Sequence, residues 1–216
     1  MIVLIGGEKG GTGKTTIATN LAVMRIVNSG DVLLVDADPQ PNASYWCTSR
    51  DQNKITPRVP SVQKTGKNTQ ADIRELKGKF KDIIIDTGGR DSIELRASLL
   101  VSDVAIIPLR PSQFDLWTLA KINNLIGEVR QFNEKLRALV CLNQAPTNPA
   151  IKEKDEAKGF FDSSEFENIS LANSTLCERV AFRKVAISGM TVHEAKIDTK
   201  AENELDSLYK EIFNGY

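Results

Sequence analysis

Glu8-Lys9-Gly10-Gly11-Thr12-Gly13-Lys14-Thr15-Thr16 follows a short apolar run, Ile2 to Ile5, and precedes an apolar-periodic segment, Ile17 to Val27. Strand, glycine-rich loop and helix, in that order, are the context a phosphate-binding loop requires. Gly7 and Gly13 stand six apart, and Lys14 and Thr15 follow at once. The glycines let backbone N–H groups turn inward around a polyphosphate, and the new helix adds its positive N-terminal end. Lys14 is expected to reach the β- and γ-phosphates, and the Thr15 hydroxyl to coordinate Mg2+. Gly10, Gly11, Thr12, Gly13, Lys14, Thr15 and Thr16 are therefore the candidate nucleotide-binding residues. Lys9 is surplus to that design, because a second lysine beside bound phosphates is electrostatically excessive for one site.

At 216 residues the chain suits one α/β domain with a sizeable core. Formal net charge is zero, so global charge predicts no strong attraction to nucleic acid or membrane, and any such binding must come from a local patch. No apolar stretch approaches the length of a membrane span. The N-terminal apolar run is too short for a signal peptide, which leads to the expectation of a cytosolic protein. Cys47, Cys141 and Cys177 are odd in number and far apart, so they suggest reduced, packed thiols. A single His193 and no close cysteine pair argue against a zinc or iron–sulfur site.

Val32 to Val35, Ile83 to Ile85, Val104 to Ile107 and Leu139 to Leu142 are short and apolar on consecutive positions, as strands buried on both faces are. Helical patterns lie between them, at Ile93 to Val101 and Leu116 to Phe132. The alternation predicts a single α/β domain over residues 1–216, a mostly parallel twisted sheet with helices on both faces. Ligands of such sheets bind beyond the carboxyl ends of the strands, where Asp36, Asp86, Pro108 and Asn143 fall. Residues 51 to 70 read as a polar surface excursion with one short strand at Arg58 to Val62. Residues 146 to 168 read as an exposed helix or a mobile insertion. The last helix, about Ala201 to Phe213, places Leu205, Leu208, Tyr209, Ile212 and Phe213 on one stripe. Its acidic polar face (Glu202, Glu204, Asp206, Glu211) is repelled by anionic lipid, so docking on the core is favoured over a membrane.

Two carboxylates leave the second strand in Val35-Asp36-Ala37-Asp38-Pro39-Gln40, and buried strand ends do not tolerate two acids without a cation or donors. Lys81-Asp82-Ile83-Ile84-Ile85-Asp86-Thr87-Gly88-Gly89 reads as a Walker B strand. It delivers Asp86 opposite the loop, where it can bind Mg2+ through water. Asn143 ends a later strand. Its amide suits an adenine edge, and a plain strand-end turn residue is the other reading.

Lys9-Gly10-Gly11-Thr12-Gly13-Lys14-Thr15 resembles the deviant Walker A of the ParA/MinD superfamily, and Asp36-Ala37-Asp38-Pro39-Gln40 resembles the ParA switch I. The resemblance covers most of the chain and is nearest to small plasmid-partition ParA proteins. It implies a Mg2+-dependent ATPase with slow basal turnover, in which Lys9 reaches across an ATP-bound homodimer to the partner's nucleotide. It implies that Asp36 helps hold the Mg2+ shell and that Asp38 positions or activates the attacking water. Ser44, Trp46 and Arg50 match the same group, with Trp46 expected to pack on the domain body. Thr87-Gly88-Gly89-Arg90-Asp91 departs from the proline-containing turn of most members, so switch II should lie here with altered geometry. Arg90 and Asp91 are open to reading as switch contacts or as surface charges.

The segment Glu178-Arg179-Val180-Ala181-Phe182-Arg183-Lys184 resembles the family's basic DNA-contacting segment, making Arg179, Arg183 and Lys184 the candidate DNA-binding residues. The resemblance further implies nonspecific DNA binding by the dimer, a ParB-like centromere-binding partner, plasmid segregation, and nucleoid association when ATP is bound. Two other functions are carried beside it: a MinD-like membrane-cycling positioning ATPase, and a dethiobiotin-synthetase-like ligase.

Overall fold

Each of the consecutive apolar runs is a strand in the computed structural model, which describes residues 1–148 and 150–214. The strands are β1 (Ile2–Ile5), β2 (Val32–Ala37), β3 (Ser61–Gln63), β4 (Asp82–Thr87), β5 (Val104–Leu109), β6 (Arg137–Ala145) and β7 (Ser170–Cys177). They form one sheet in the order β3-β2-β4-β1-β5-β6-β7, with every neighbouring pair parallel. Parallel pairs need crossovers, and helices supply them. These are α1 (Lys14–Ser29), α2 (Asn42–Gln52), α3 (Thr69–Lys77), α4 (Ile93–Leu99), α5 (Gln113–Leu116), α6 (Leu119–Arg130), α7 (Glu153–Ser163), α8 (Val180–Ala186), α9 (Val192–Ala195) and α10 (Thr199–Phe213).

Alternation along each strand divides the apolar residues between two cores. Val3, Ile5 and Ile84 pack with residues of α1, α2, α8, α9 and α10. Ile2, Leu4, Ile83 and Ile85 pack on the other face with residues of α3 to α7. The central strands are buried along their whole length, which is why they read as unbroken apolar runs.

The apolar stripe of α10 (Leu205, Leu208, Tyr209, Ile212, Phe213) is buried in the first of these cores. Burial of such side chains contributes on the order of 2 kcal/mol each. Asp198 starts the helix by accepting from Lys200 N and Ala201 N, both at 3.1 Å. Trp46 is likewise buried in this core.

Several boundaries differ from the sequence reading, among them the end of α4 at Leu99 and of β6 at Ala145. The short strand of the 51–70 excursion is Ser61–Gln63, on the outer edge beside β2. The Leu116 to Phe132 pattern divides into α5 and α6. In the 146–168 stretch, α7 forms and buries Ala157, with Phe160, Phe161 and Phe166 against the second core. Strand β7 carries no apolar run. It is an edge strand with Asn173, Ser174 and Thr175 at its middle, so its sequence does not announce it.

Candidate nucleotide site

The sheet register assembles the acids. Ile5 pairs with Asp86, and Asp36 pairs with Asp86. Both carboxylates thus arrive at the strand ends where the Lys9–Thr15 loop leaves β1. The loop turns into α1 at Gly13, whose φ of 87° lies in the left-handed region. A Cβ there would stand 2.3 Å from Asn143 Nδ2, so conformation and space both require glycine.

Thr15 Oγ1 donates to Asp86 Oδ2 at 2.7 Å. Asp86 is fully buried and its Oδ1 has no hydrogen-bond partner among the described residues. Burial pushes its carboxyl up to about 7, against the Thr15 hydrogen bond and the Lys14 charge. An orphaned buried carboxylate oxygen beside a threonine hydroxyl is a hard, all-oxygen donor set, and it fits Mg2+. Asp36 is also fully buried. Its Oδ2 accepts from Ser44 N and Ser44 Oγ, each at 2.8 Å, and its Oδ1 accepts from Asp38 N at 3.2 Å. Burial raises the Asp36 carboxyl, and these bonds pull the other way. Asp36 therefore ties the first turn of α2 to the strand end, a role of Ser44 that no charge pattern signals.

Lys14 is buried, and its Nζ donates to the Lys9 carbonyl at 2.6 Å. Burial lowers its ammonium, opposed by Asp86 and Asp38. Lys9 behaves differently. Its side chain is 42% exposed and its Nζ lies 3.9 Å from Asp115 Oδ1. The two lysines of the loop are thus divided between interior and rim.

The 87–91 turn reaches the loop through its glycines. A Cβ on Gly89 would lie 2.6 Å from Gly10 Cα, and one on Gly88 would lie 3.0 Å from Asp38 Oδ1. The glycine pair is what allows the chain after β4 to pass against both the loop and Asp38. Asp91 is held by Arg96 at 2.8 and 2.9 Å, while Arg90 is exposed.

Asn143 lies within β6 rather than at its end, and its amide has a use that neither sequence reading gave. Its Nδ2 donates to the Thr12 carbonyl at 2.6 Å, so the amide braces the phosphate loop. Asn143 also lines a cavity of about 520 Å3 beside the loop, with Gly13, Thr16, Gln144, Cys177 and Phe182.

The three basic candidates are not equivalent. Arg179 Nη2 is 2.6 Å from Glu204 Oε1, Nη1 is 3.7 Å from Asp198, and the side chain is only 13% exposed. That guanidinium is committed within the fold. Arg183 and Lys184 are exposed on α8, and among the described residues the carboxylate paired with Arg183 is the exposed Glu178 at 3.0 Å. Such a pair is weak and readily exchanged.

The model of the CobQ/CobB/MinD/ParA nucleotide-binding domain family matches residues 3–192. The chain is 24% identical to the Maintenance of carboxysome distribution protein A of Halothiobacillus neapolitanus, over 96% of this chain and 94% of that one. It is 26% identical to the Chromosome partitioning protein ParA of Myxococcus xanthus, over 86% and 80% of the two chains. Its fold is similar to that of the cell division ATPase MinD of Pyrococcus furiosus, with a TM-score of 0.76 at 20% identity over 100% and 99% of the chains. It is also similar to apo McdA of Cyanthece, with a TM-score of 0.77 at 15% identity over 98% of each. With its phosphate loop, paired strand-end acids and parallel sheet, the chain is a P-loop ATPase of the ParA/MinD type and belongs to the CobQ/CobB/MinD/ParA nucleotide-binding family.

Proposed function

We propose that this protein is an ATP-driven switch for DNA partition, active as a nucleotide-dependent homodimer. The observation that carries the proposal is the division of the loop lysines: Lys14 is buried at the loop of its own chain, and Lys9 stands half-exposed at the rim, the placement a lysine serving a facing subunit needs. Lys14 and the loop N–H groups of Gly10 to Thr16 bind the phosphates. Thr15, Asp86 and Asp36 would hold Mg2+, which would offset negative charge on the phosphates. Asp38, seated against Gly88 of switch II, orients the attacking water. Lys9 of the facing subunit supplies the remaining positive charge on the transition state, which makes basal hydrolysis slow.

DNA contact falls to Arg183 and Lys184. Two exposed cations per subunit, doubled by dimerisation, suit weak nonspecific phosphate binding that appears only in the ATP state. Arg179 supports this surface from behind by anchoring the start of α8 to Glu204. A ParB-like partner at a centromere would stimulate hydrolysis and release the dimer. The MinD-like alternative needs a free amphipathic helix, and the apolar face of α10 is buried in the core. Among the described residues no helix is long and apolar enough to cross a membrane. A second reading is favoured by one observation: the carboxysome-distribution relative aligns with 96% of the chain. In that reading the same DNA-bound switch positions a protein cargo.

The test is binding to random-sequence duplex DNA with ATP, ADP or no nucleotide, across a salt series. ATP-dependent, salt-sensitive binding that is lost in Arg183→Ala and retained in Asp38→Ala supports the proposal. No DNA binding in any nucleotide state, with ATP-dependent dimerisation intact, refutes it.

A further inference from the structure

Three loop carbonyls end on side chains, and two of them end on residues outside the loop and α1. Gly11 O accepts from Arg110 Nη2 at 2.6 Å and from Gln144 Nε2 at 3.0 Å. Thr12 O accepts from Asn143 Nδ2 at 2.6 Å. Arg110 Nε in turn donates to Gln144 Oε1 at 2.7 Å, which locks the two into one unit. Arg110 follows the end of β5, and Asn143 and Gln144 lie near the end of β6, so all three approach from one side.

A regular strand would not allow this. Consecutive side chains of a strand point to opposite faces, yet Asn143 and Gln144 both reach the loop. The backbone supplies the reason. Gln144 has φ of 55°, in the left-handed region, and the β6–β7 register shifts between Leu142 and Ala145. Irregularities of this kind re-aim side chains at functional sites, and holding a non-glycine residue there is unfavourable. The cost is borne at the residue whose amide faces the phosphate loop.

We propose that Arg110 and Gln144 are positioning residues for nucleotide binding, a clamp that holds the Gly11 peptide in its phosphate-receiving orientation. A trans peptide places C=O and the next N–H on opposite sides. Drawing the Gly11 and Thr12 carbonyls toward β5 and β6 turns the Thr12 and Gly13 N–H groups away from those strands, as an anion-binding nest requires. The clamp thus meets the cost of loop ordering before nucleotide arrives, and its contribution is to binding. The inference rests on the phosphate-loop reading of residues 9 to 15.

Titration of a fluorescent ADP analogue, with steady-state ATPase kinetics, tests it on Arg110→Ala, Arg110→Lys, Gln144→Ala, Gln144→Gly and the Arg110→Ala/Gln144→Ala double variant. Gln144→Gly removes the amide while relieving the backbone, so it separates loss of the clamp from loss of folding. Removing a charge-assisted hydrogen bond is expected to weaken ADP binding about tenfold. KM for ATP should rise in parallel, with a smaller change in kcat. The double variant should be weaker by less than the product of the singles, because the two act as one unit. Arg110→Lys should remain weak, since one ammonium cannot span both the Gly11 carbonyl and Gln144. Unchanged ADP affinity in folded Arg110→Ala and Gln144→Gly overturns the clamp, as does full rescue by lysine, or a fall in kcat at constant KM. A wild-type protein that binds no nucleotide overturns the site itself, whereas variants matching a nucleotide-binding wild type overturn the clamp alone.

Discussion

Arg50 grips Glu194 with both arms of its guanidinium, Nη1 to Oε2 at 2.9 Å and Nη2 to Oε1, across 144 positions of chain. The Arg50 side chain is completely buried. It also donates to the carbonyls of Pro57 and Gly189 at 2.9 Å and lies 5.4 Å over the Trp46 ring. Glu194 closes the capping box of α9 with Thr191. The pair therefore bolts α2, whose first turn holds Asp36 through Ser44, to the segment that follows α8.

Glu194→Ala leaves that guanidinium buried without its counter-charge and removes a helix cap. The expected loss is about 3 kcal/mol. Urea unfolding should show a lower midpoint at an unchanged slope. A midpoint equal to wild type would mean that Arg50 finds equivalent partners in Pro57 and Gly189.

Asp82 makes acid stability predictable. Burial alone would raise its carboxyl, but hydrogen bonds and charge from Arg25 and the Met1 amine outweigh it and hold it below the ordinary carboxylate range. A carboxylate depressed in the folded state adds stability that is complete above its unfolded value, roughly pH 4, and is lost as pH falls through the folded value. Asp82→Asn should thus be less stable than wild type near neutral pH, with the gap closing below about pH 4. A gap independent of pH would assign the effect to packing.

Gly89→Ala drives a methyl group against the loop backbone, 2.6 Å from both Gly10 Cα and Gly10 N. Backbone cannot rotate aside as a side chain can, so the turn after β4 must move. The variant should lose hydrolysis more than tenfold. Gly88→Ala, which meets the Asp38 carboxylate at 3.0 Å, should be milder. Equal activity in both variants would show that switch II does not depend on this contact.

Lys9→Ala and Lys14→Ala should separate. Lys14 lies buried at the site, so its loss should abolish nucleotide binding in the monomer. Lys9 is at the rim, so its loss should spare ADP affinity and impair ATP-dependent dimerisation or turnover. Light scattering and ADP titration on the two variants decide this, and equal loss of ADP binding would remove the trans role from Lys9.

The basic segment divides on structural grounds as well. Arg183→Ala removes an exposed cation and should change unfolding stability by less than about 0.5 kcal/mol while lowering DNA affinity. Arg179→Ala breaks the ion pairs with Glu204 and Asp198, and should lower stability by about 2 kcal/mol. Thermal melts beside the DNA titration would separate the two, and equal melting temperatures would return Arg179 to the proposed DNA surface.

Local chemistry determined much of this protein. Strands buried on both faces must be apolar at consecutive positions, so β1, β2, β4, β5 and β6 were legible, and glycine, lysine and threonine between β1 and α1 marked the phosphate loop. The chain order of these elements settled a parallel sheet with its site at the carboxyl rim. What depends on partners distant in sequence was not legible. β7 lies at an edge and is half polar, so it carries no apolar run. Arg179 looked like a surface cation, and only the fold brings Glu204 to it. Arg50 was visible as a residue type, but not as a buried bolt. Asn143 and Gln144 face the same loop because β6 is distorted at Gln144, a backbone conformation that no residue pattern in this chain announces. Sequence specifies what each segment can be, through period and residue type. Which polar groups meet is decided only when the sheet register and the crossovers bring them within hydrogen-bonding distance.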